Sequence, residues 1–176
     1  EGIPRNTVTF NTLITGLGKA GRIDAALKLF EEMKREHIPR NTVTFNTLMN
    51  IKQLKRENPD FVLTLFDQMV NESIPISGFT YVAVMSACEQ AFKNTRRGKN
   101  NQYVTKCGAY FEDMLKDWQQ KKISPKTISI TADILSRILD RNTMKNLMEQ
   151  HESTINIINC GGGHGGGHGG GGRGAG

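Results

Sequence analysis

The stretch IPRNTVTFNTL at residues 3–13 recurs letter for letter at residues 38–48, an offset of 35. A second element returns at a similar interval, as LFEEM at 29–33, LFDQM at 65–69 and YFEDM at 110–114. Each precedes a loop that carries Ile and Pro: Ile38-Pro39, Ile74-Pro75 and Ile123-Ser124-Pro125. A period of about 20 to 50 residues marks a stacked repeat architecture, in which one unit cannot bury its apolar face alone.

The repeat divides the chain. Residues 1–6 read as the end of a preceding unit, 7–41 as repeat 1 and 42–77 as repeat 2. Residues 78–126 read as repeat 3 with a basic insertion at 93–106, and 127–158 as a degenerate repeat 4. In residues 159–176 a Gly-rich tail follows, with no apolar side chain beyond Gly161 larger than Ala175, so burial cannot offset its ordering entropy and disorder is expected. The chain begins at Glu1 inside the pattern, which suggests a piece of a longer protein.

Within a unit the periodicity gives two helices. Val8, Phe10, Leu13, Ile14 and Leu17 can line the apolar face of the first, with Asn6 or Thr7 as N-cap, and Gly18-Lys19-Ala20-Gly21 breaks it. Ile23, Ala26, Leu27, Phe30 and Met33 form the stripe of the second, with Lys28, Glu31, Glu32 and Lys34 toward water. In repeat 2, Asn58-Pro59-Asp60 supplies a cap, a Pro at the first helical position and an acid in the first turn. Repeat 3 has a first helix over Phe79–Phe92, the insertion, and a helix around Tyr110 to Lys121. The fourth pair has Asp140-Arg141-Asn142 as its turn, and either Ile128-Ser129-Ile130 or Ile130-Thr131-Ala132 can match Val8-Thr9-Phe10.

Charge and cysteine usage narrow the function classes. Lys plus Arg number 23 against 17 Asp plus Glu, a net charge of +6. That excess permits contact with a polyanion and also serves solubility. Cys88, Cys107 and Cys160 form no CxxC and are odd in number, which argues against a disulfide framework and fits a reducing compartment. No apolar run approaches the roughly 18 residues of a membrane span, so no membrane partner is expected. His37, His151, His164 and His168 share no motif with a Ser, Cys or carboxylate, and the deaminase signature H-x-E with P-C-x-x-C is missing, so no enzymatic activity and no cofactor are expected. The acids Glu31, Glu32, Asp67, Glu112 and Asp113 fall on outward helix faces, where solvated charge is the ordinary condition.

Residues 3–49 resemble the pentatricopeptide repeat (PPR) family, whose units are antiparallel helix pairs with a 35-residue period; the likeness stays good to residue 92, is patchy to about residue 126 and is weak beyond. The resemblance implies an all-α, right-handed solenoid of stacked helix pairs that binds single-stranded RNA in a mitochondrion or chloroplast, about one base per repeat. It assigns base-edge reading to the pairs Asn11 with Asn41 and Asn46 with Ser77, and a pyrimidine to both. It assigns Val8, Val43 and Phe79 to the flat faces of the bases. An Asn amide offers both a donor pair and an acceptor, so it can meet the mixed edge of a pyrimidine without carrying charge. Val82 stands where Asn11 and Asn46 stand, so the third unit offers no such hydrogen bond.

Other readings accompany these. Asn and Thr near a helix start are commonly caps, and valines are commonly core. In the insertion, Arg96, Arg97 and Lys99 are candidate phosphate contacts, each lowering the salt exponent by about 0.7; a solvated loop, or docking onto ribosomal RNA or a protein, fits the same residues. Cys160, His164 and His168 are spaced as metal ligands, but three ligands on a Gly-rich chain leave a site incomplete, so no metal is expected. The alternative function is a protein-binding scaffold in an organellar ribonucleoprotein such as a mitochondrial ribosome.

Overall fold

The structure, a computed structural model, describes residues 5–95, 101–121, 123–153 and 155–156. The expected phosphate contacts Arg96, Arg97 and Lys99, the spaced ligands Cys160, His164 and His168, and the Gly-rich tail lie outside the described residues. Within them every regular element is an α-helix: α1 (Thr7–Lys19), α2 (Ile23–Arg35), α3 (Thr42–Met49), α4 (Lys52–Glu57), α5 (Pro59–Asn71), α6 (Gly78–Asn94), α7 (Asn101–Lys121), α8 (Pro125–Ile138) and α9 (Arg141–Gln150). No described helix is long and apolar enough to cross a membrane.

Polar caps set the starts. Asn6, Asn41, Ser77 and Ser124 each accept from the backbone N–H three residues on, at Thr9, Thr44, Thr80 and Thr127. A side chain thereby satisfies one of the amides that a helix start leaves open. Asn58 caps α5 by the same geometry with Pro59 behind it, and Asp140 caps α9. The ends of the second helices are closed by left-handed residues. His37 (φ 55) and Ser73 (φ 54) turn the chain so that Ile38 N–H reaches the Met33 carbonyl and Ile74 N–H the Met69 carbonyl, both at 2.8 Å. Gly21 (φ 71) does the same after α1.

The first helices α1, α3, α6 and α8 touch in succession, and α2, α5 and α7 each pack on their own first helix and on the next one. Phe30 meets Phe45 edge-on with ring centroids 5.2 Å apart, and one unit later Phe66 meets Tyr81 at 6.0 Å and Tyr110 at 4.8 Å. Phe30, Phe66 and Phe111, placed alike in their second helices, are all buried. An arginine clamps each of the first two junctions. Arg5 lies over Phe10 and pairs with Glu32 and Glu36; Arg40 lies 4.6 Å from the Phe30 centroid and pairs with Glu72 at 2.5 Å. The Thr7 hydroxyl donates to the Pro39 carbonyl, and the Thr42 hydroxyl to that of Pro75. Ile76 and Gly78 stand where the arginine and threonine stood, so the third junction lacks both devices. It relies on apolar packing and on the ion pair of Arg137 with Glu89.

Four expectations need revision. Val8 and Leu13 face outward instead of joining Phe10 and Ile14 in the core. The first helix of the second unit is split, because Asn50 caps α3 and Ile51 turns extended, burying its side chain within 2.8 Å of where a Cβ on Gly18 would sit. Where it is described, the segment read as a basic loop is largely helical: α7 already includes Asn101, and buried Tyr103 anchors this part through its hydroxyl, which donates to Asp60 at 2.8 Å. In the fourth unit the Ser124 cap aligns Lys126-Thr127-Ile128 with Val8-Thr9-Phe10, two residues ahead of the nearer expected register. The expected boundary at 126/127 thus falls inside α8.

Truncating Phe66 to Ala should cost about 3–5 kcal/mol in denaturant unfolding, and stability equal to the parent would contradict this packing. The two clamps should also differ. The Arg40 side chain is only 6% exposed and that of Arg5 58% exposed. Glu72→Gln, which leaves a buried guanidinium without its carboxylate, should cost about 1.5–3 kcal/mol; Glu36→Gln should cost clearly less, by the same measurement.

Candidate nucleic-acid interface

The outward turn of Val8 repeats one unit later at Val43 and two units later at Phe79. All three are the second residue of a first helix, two positions past the cap, and they are 73%, 58% and 78% exposed. The first three units thus each carry one exposed apolar side chain along the first-helix layer, which no described helix covers.

The second and third of these both line a cleft of about 710 Å³, whose walls also include Thr15, Gly18 and Gly21 at the end of α1. Val43 and Phe79 line it together with Asn46, Asn50 and Ile51, and Lys19 and Lys52 stand among its walls. The split of α3 from α4 helps to shape this cleft, since it brings Asn50, Ile51 and Lys52 into the lining. Outside that lining, burial first, and then the Lys52 charge, lower the Lys55 ammonium below the usual lysine range.

The expected pair of the second unit is brought together. Asn46 Nδ2 donates to Ser77 Oγ at 3.2 Å, and Asn46 Oδ1 accepts from the Thr80 hydroxyl at 2.8 Å. Ser77 is at the same time the cap of α6, so the capping role and the expected reading role fall on one side chain. The first unit is arranged differently. Asn41 caps α3, its Oδ1 accepting from both the backbone and the hydroxyl of Thr44 at 3.1 Å. No hydrogen bond joins Asn11 to Asn41 among the described residues, and Asn11 Oδ1 is buried without a partner there. In the third unit Val82 is half-buried. Thr80, fully buried and bonded to Asn46 across 34 residues of chain, is a member of this site that the sequence pattern did not single out.

Part of this surface lies on a segment of recognisable type: residues 5–51 match the PPR repeat family. Over that stretch the chain is similar to PPR repeats. The described fold agrees. It aligns with the crystal structure of the pentatricopeptide repeat protein PPR10 in complex with an 18-nt psaJ RNA element, at a TM-score of 0.61 and 21% identity. The alignment covers 87% of this chain and 20% of that one, so the chain spans about a fifth of the PPR protein it matches. A cysteine-to-serine form of PPR10 with an 18-nt PSAJ RNA element aligns over 92% of this chain and 27% of its own, at 21% identity and a TM-score of 0.45. Curated proteins give no match. At such identity the likeness establishes the PPR-type solenoid fold. Among the described residues no cluster of His, Cys, Asp or Glu could hold a metal ion.

Since Val8 and Phe79 are unpacked, Val8→Ala and Phe79→Ala should each unfold within about 0.5 kcal/mol of the parent. A larger loss in thermal or denaturant unfolding would assign them a structural role instead.

Proposed function

We propose that the chain is a single-stranded RNA-binding module of an organellar RNA-processing, stabilising or translation factor, with no reaction of its own. The observation that carries this is the cleft in which Val43 and Phe79, both apolar and uncovered, line the same space as the Asn46 amide. Two apolar residues and an amide donor and acceptor lining one space suit the flat faces and the polar edge of an unpaired base. Lys19 and Lys52 add cationic charge where the phosphates of a bound strand would run. The PPR match and the RNA held by PPR10 support the same reading. In it Asn46 with Ser77, and Asn11 with Asn41, read successive pyrimidines, and Val8 and Val43 flank the first of them. A mitochondrial or chloroplast location follows from the resemblance alone, as do the phosphate contacts at Arg96, Arg97 and Lys99.

Magnitude limits the affinity. Two competent units at about 1–3 kcal/mol each supply about 2–6 kcal/mol, and a millimolar constant already needs about 4. The chain by itself should bind short RNA weakly, and tight recognition would need further units.

The test is a titration of the chain with short single-stranded RNAs that differ at two adjacent bases, at fixed salt. Asn11→Val together with Asn46→Val should reduce pyrimidine preference several-fold per site, because a lost polar pairing is worth about 0.5–1.5 kcal/mol. Phe79→Ala should weaken binding to every sequence. Base preference unchanged in the double variant, with affinity following salt and total charge only, would reject base reading and favour the scaffold role.

A further inference from the structure

We propose that Thr80, a buried residue outside the cleft lining, is a positioning residue that holds the Asn46 amide, so that the second unit discriminates bases more sharply than the first. The proposal rests on the base-reading function above and deepens it. Three hydrogen bonds form a closed circuit: Asn46 Nδ2 to Ser77 Oγ at 3.2 Å, Ser77 Oγ to Thr80 Oγ1 at 3.0 Å, and Thr80 Oγ1 to Asn46 Oδ1 at 2.8 Å. Each hydroxyl has one proton to give. With the Thr80 proton on Asn46, the Ser77 proton goes to Thr80, and Ser77 accepts both from Asn46 and from the Thr80 backbone N–H.

The circuit also closes in the opposite sense with the amide turned over, so what it fixes is the amide plane. In either sense Asn46 commits one N–H and one lone pair to the protein and keeps the other N–H and lone pair for a base. Turning the amide then requires all three hydrogen bonds to reverse together. The backbone holds the partners as well: Ser77 N–H donates to Thr80 Oγ1 at 3.1 Å as half of a capping box.

The first unit has the equivalent residues except one. Asn41 stands where Ser77 stands, and it has no hydroxyl proton to pass on. The Thr44 hydroxyl therefore donates to the Asn41 cap, as the 3.1 Å contact indicates, and Asn11 Oδ1 is left buried without a partner among the described residues. Among the described residues no hydrogen bond holds Asn11 Oδ1 as Thr80 holds that of Asn46. One substitution, Asn41→Ser, would supply the missing proton.

The experiment has a readout without RNA and one with it, both on the full chain. By NMR of the free protein, the Asn46 side-chain amide protons should exchange slowly in the parent and in Thr80→Ser, and faster in Thr80→Val. In RNA titrations, Thr80→Val should lower base preference at the second nucleotide about 2- to 10-fold and leave the first nucleotide unchanged, while Thr80→Ser retains the parent preference. Asn41→Ser should raise preference at the first nucleotide. A merely structural role for Thr80 would instead weaken binding at both nucleotides equally. Amide exchange and second-site preference in Thr80→Val equal to those of the parent would overturn the proposal. If the amide responds as stated but the parent itself shows no base preference, the base-reading function fails, and the specificity role assigned to Thr80 falls with it.

Discussion

The contact on which this chain depends is the aromatic pairing across unit boundaries, Phe30 with Phe45 and Phe66 with Tyr81. A lone antiparallel helix pair has too little apolar surface to offset its ordering entropy. Each second helix therefore gains its stability from the first helix of the following unit. That constraint fixes the spacing of the stack, since the second helix must end, turn through Ile and Pro, and present the next cap within reach. The left-handed turns at His37 and Ser73 and the hydroxyl bonds of Thr7 and Thr42 serve that end.

Because burial is arranged between units along the second helices, the starts of the first helices are left to carry other groups. Val8, Val43 and Phe79 lie there uncovered, and the polar residues one turn later meet the caps of the next unit. A candidate base pocket is thus always shared between neighbours, and its quality depends on both. The pocket between the second and third units has an aromatic wall and a closed polar circuit. At the equivalent place between the first and second units stand Val8 and Val43, with an unpartnered Asn11 amide oxygen. In the third unit Val82 takes the place of that polar side chain.

Much of this was legible in the sequence, because it is local. Stripes such as Ala26, Phe30 and Met33, and caps such as Asn58 before Pro59, are set within a few residues of chain. What escaped depends on distant partners. The break at Ile51 is decided by packing on Gly18, and nothing within α3 announces it. The early start of α7 was hidden by neighbouring basic residues that read as a loop, although Tyr103, Cys107, Tyr110 and Met114 continue one buried stripe. Val8 reads as core by periodicity and is solvent-facing, because its place on the helix lies outside the seam to α2 and α3. Thr80 was invisible as part of the site, since its bond to Asn46 spans 34 residues and resembles ordinary capping chemistry until both helices are in place.

The central claim is that an unpaired base enters between Val43 and Phe79. Intermolecular NMR distance contacts between the chain and a short pyrimidine oligoribonucleotide test it most directly, since they report weak complexes and name the atoms in contact. The account predicts contacts from the base H5 and H6 protons to both the Val43 methyls and the Phe79 ring protons. Shifts confined to lysine and arginine side chains, with no base contact to either residue, would contradict it.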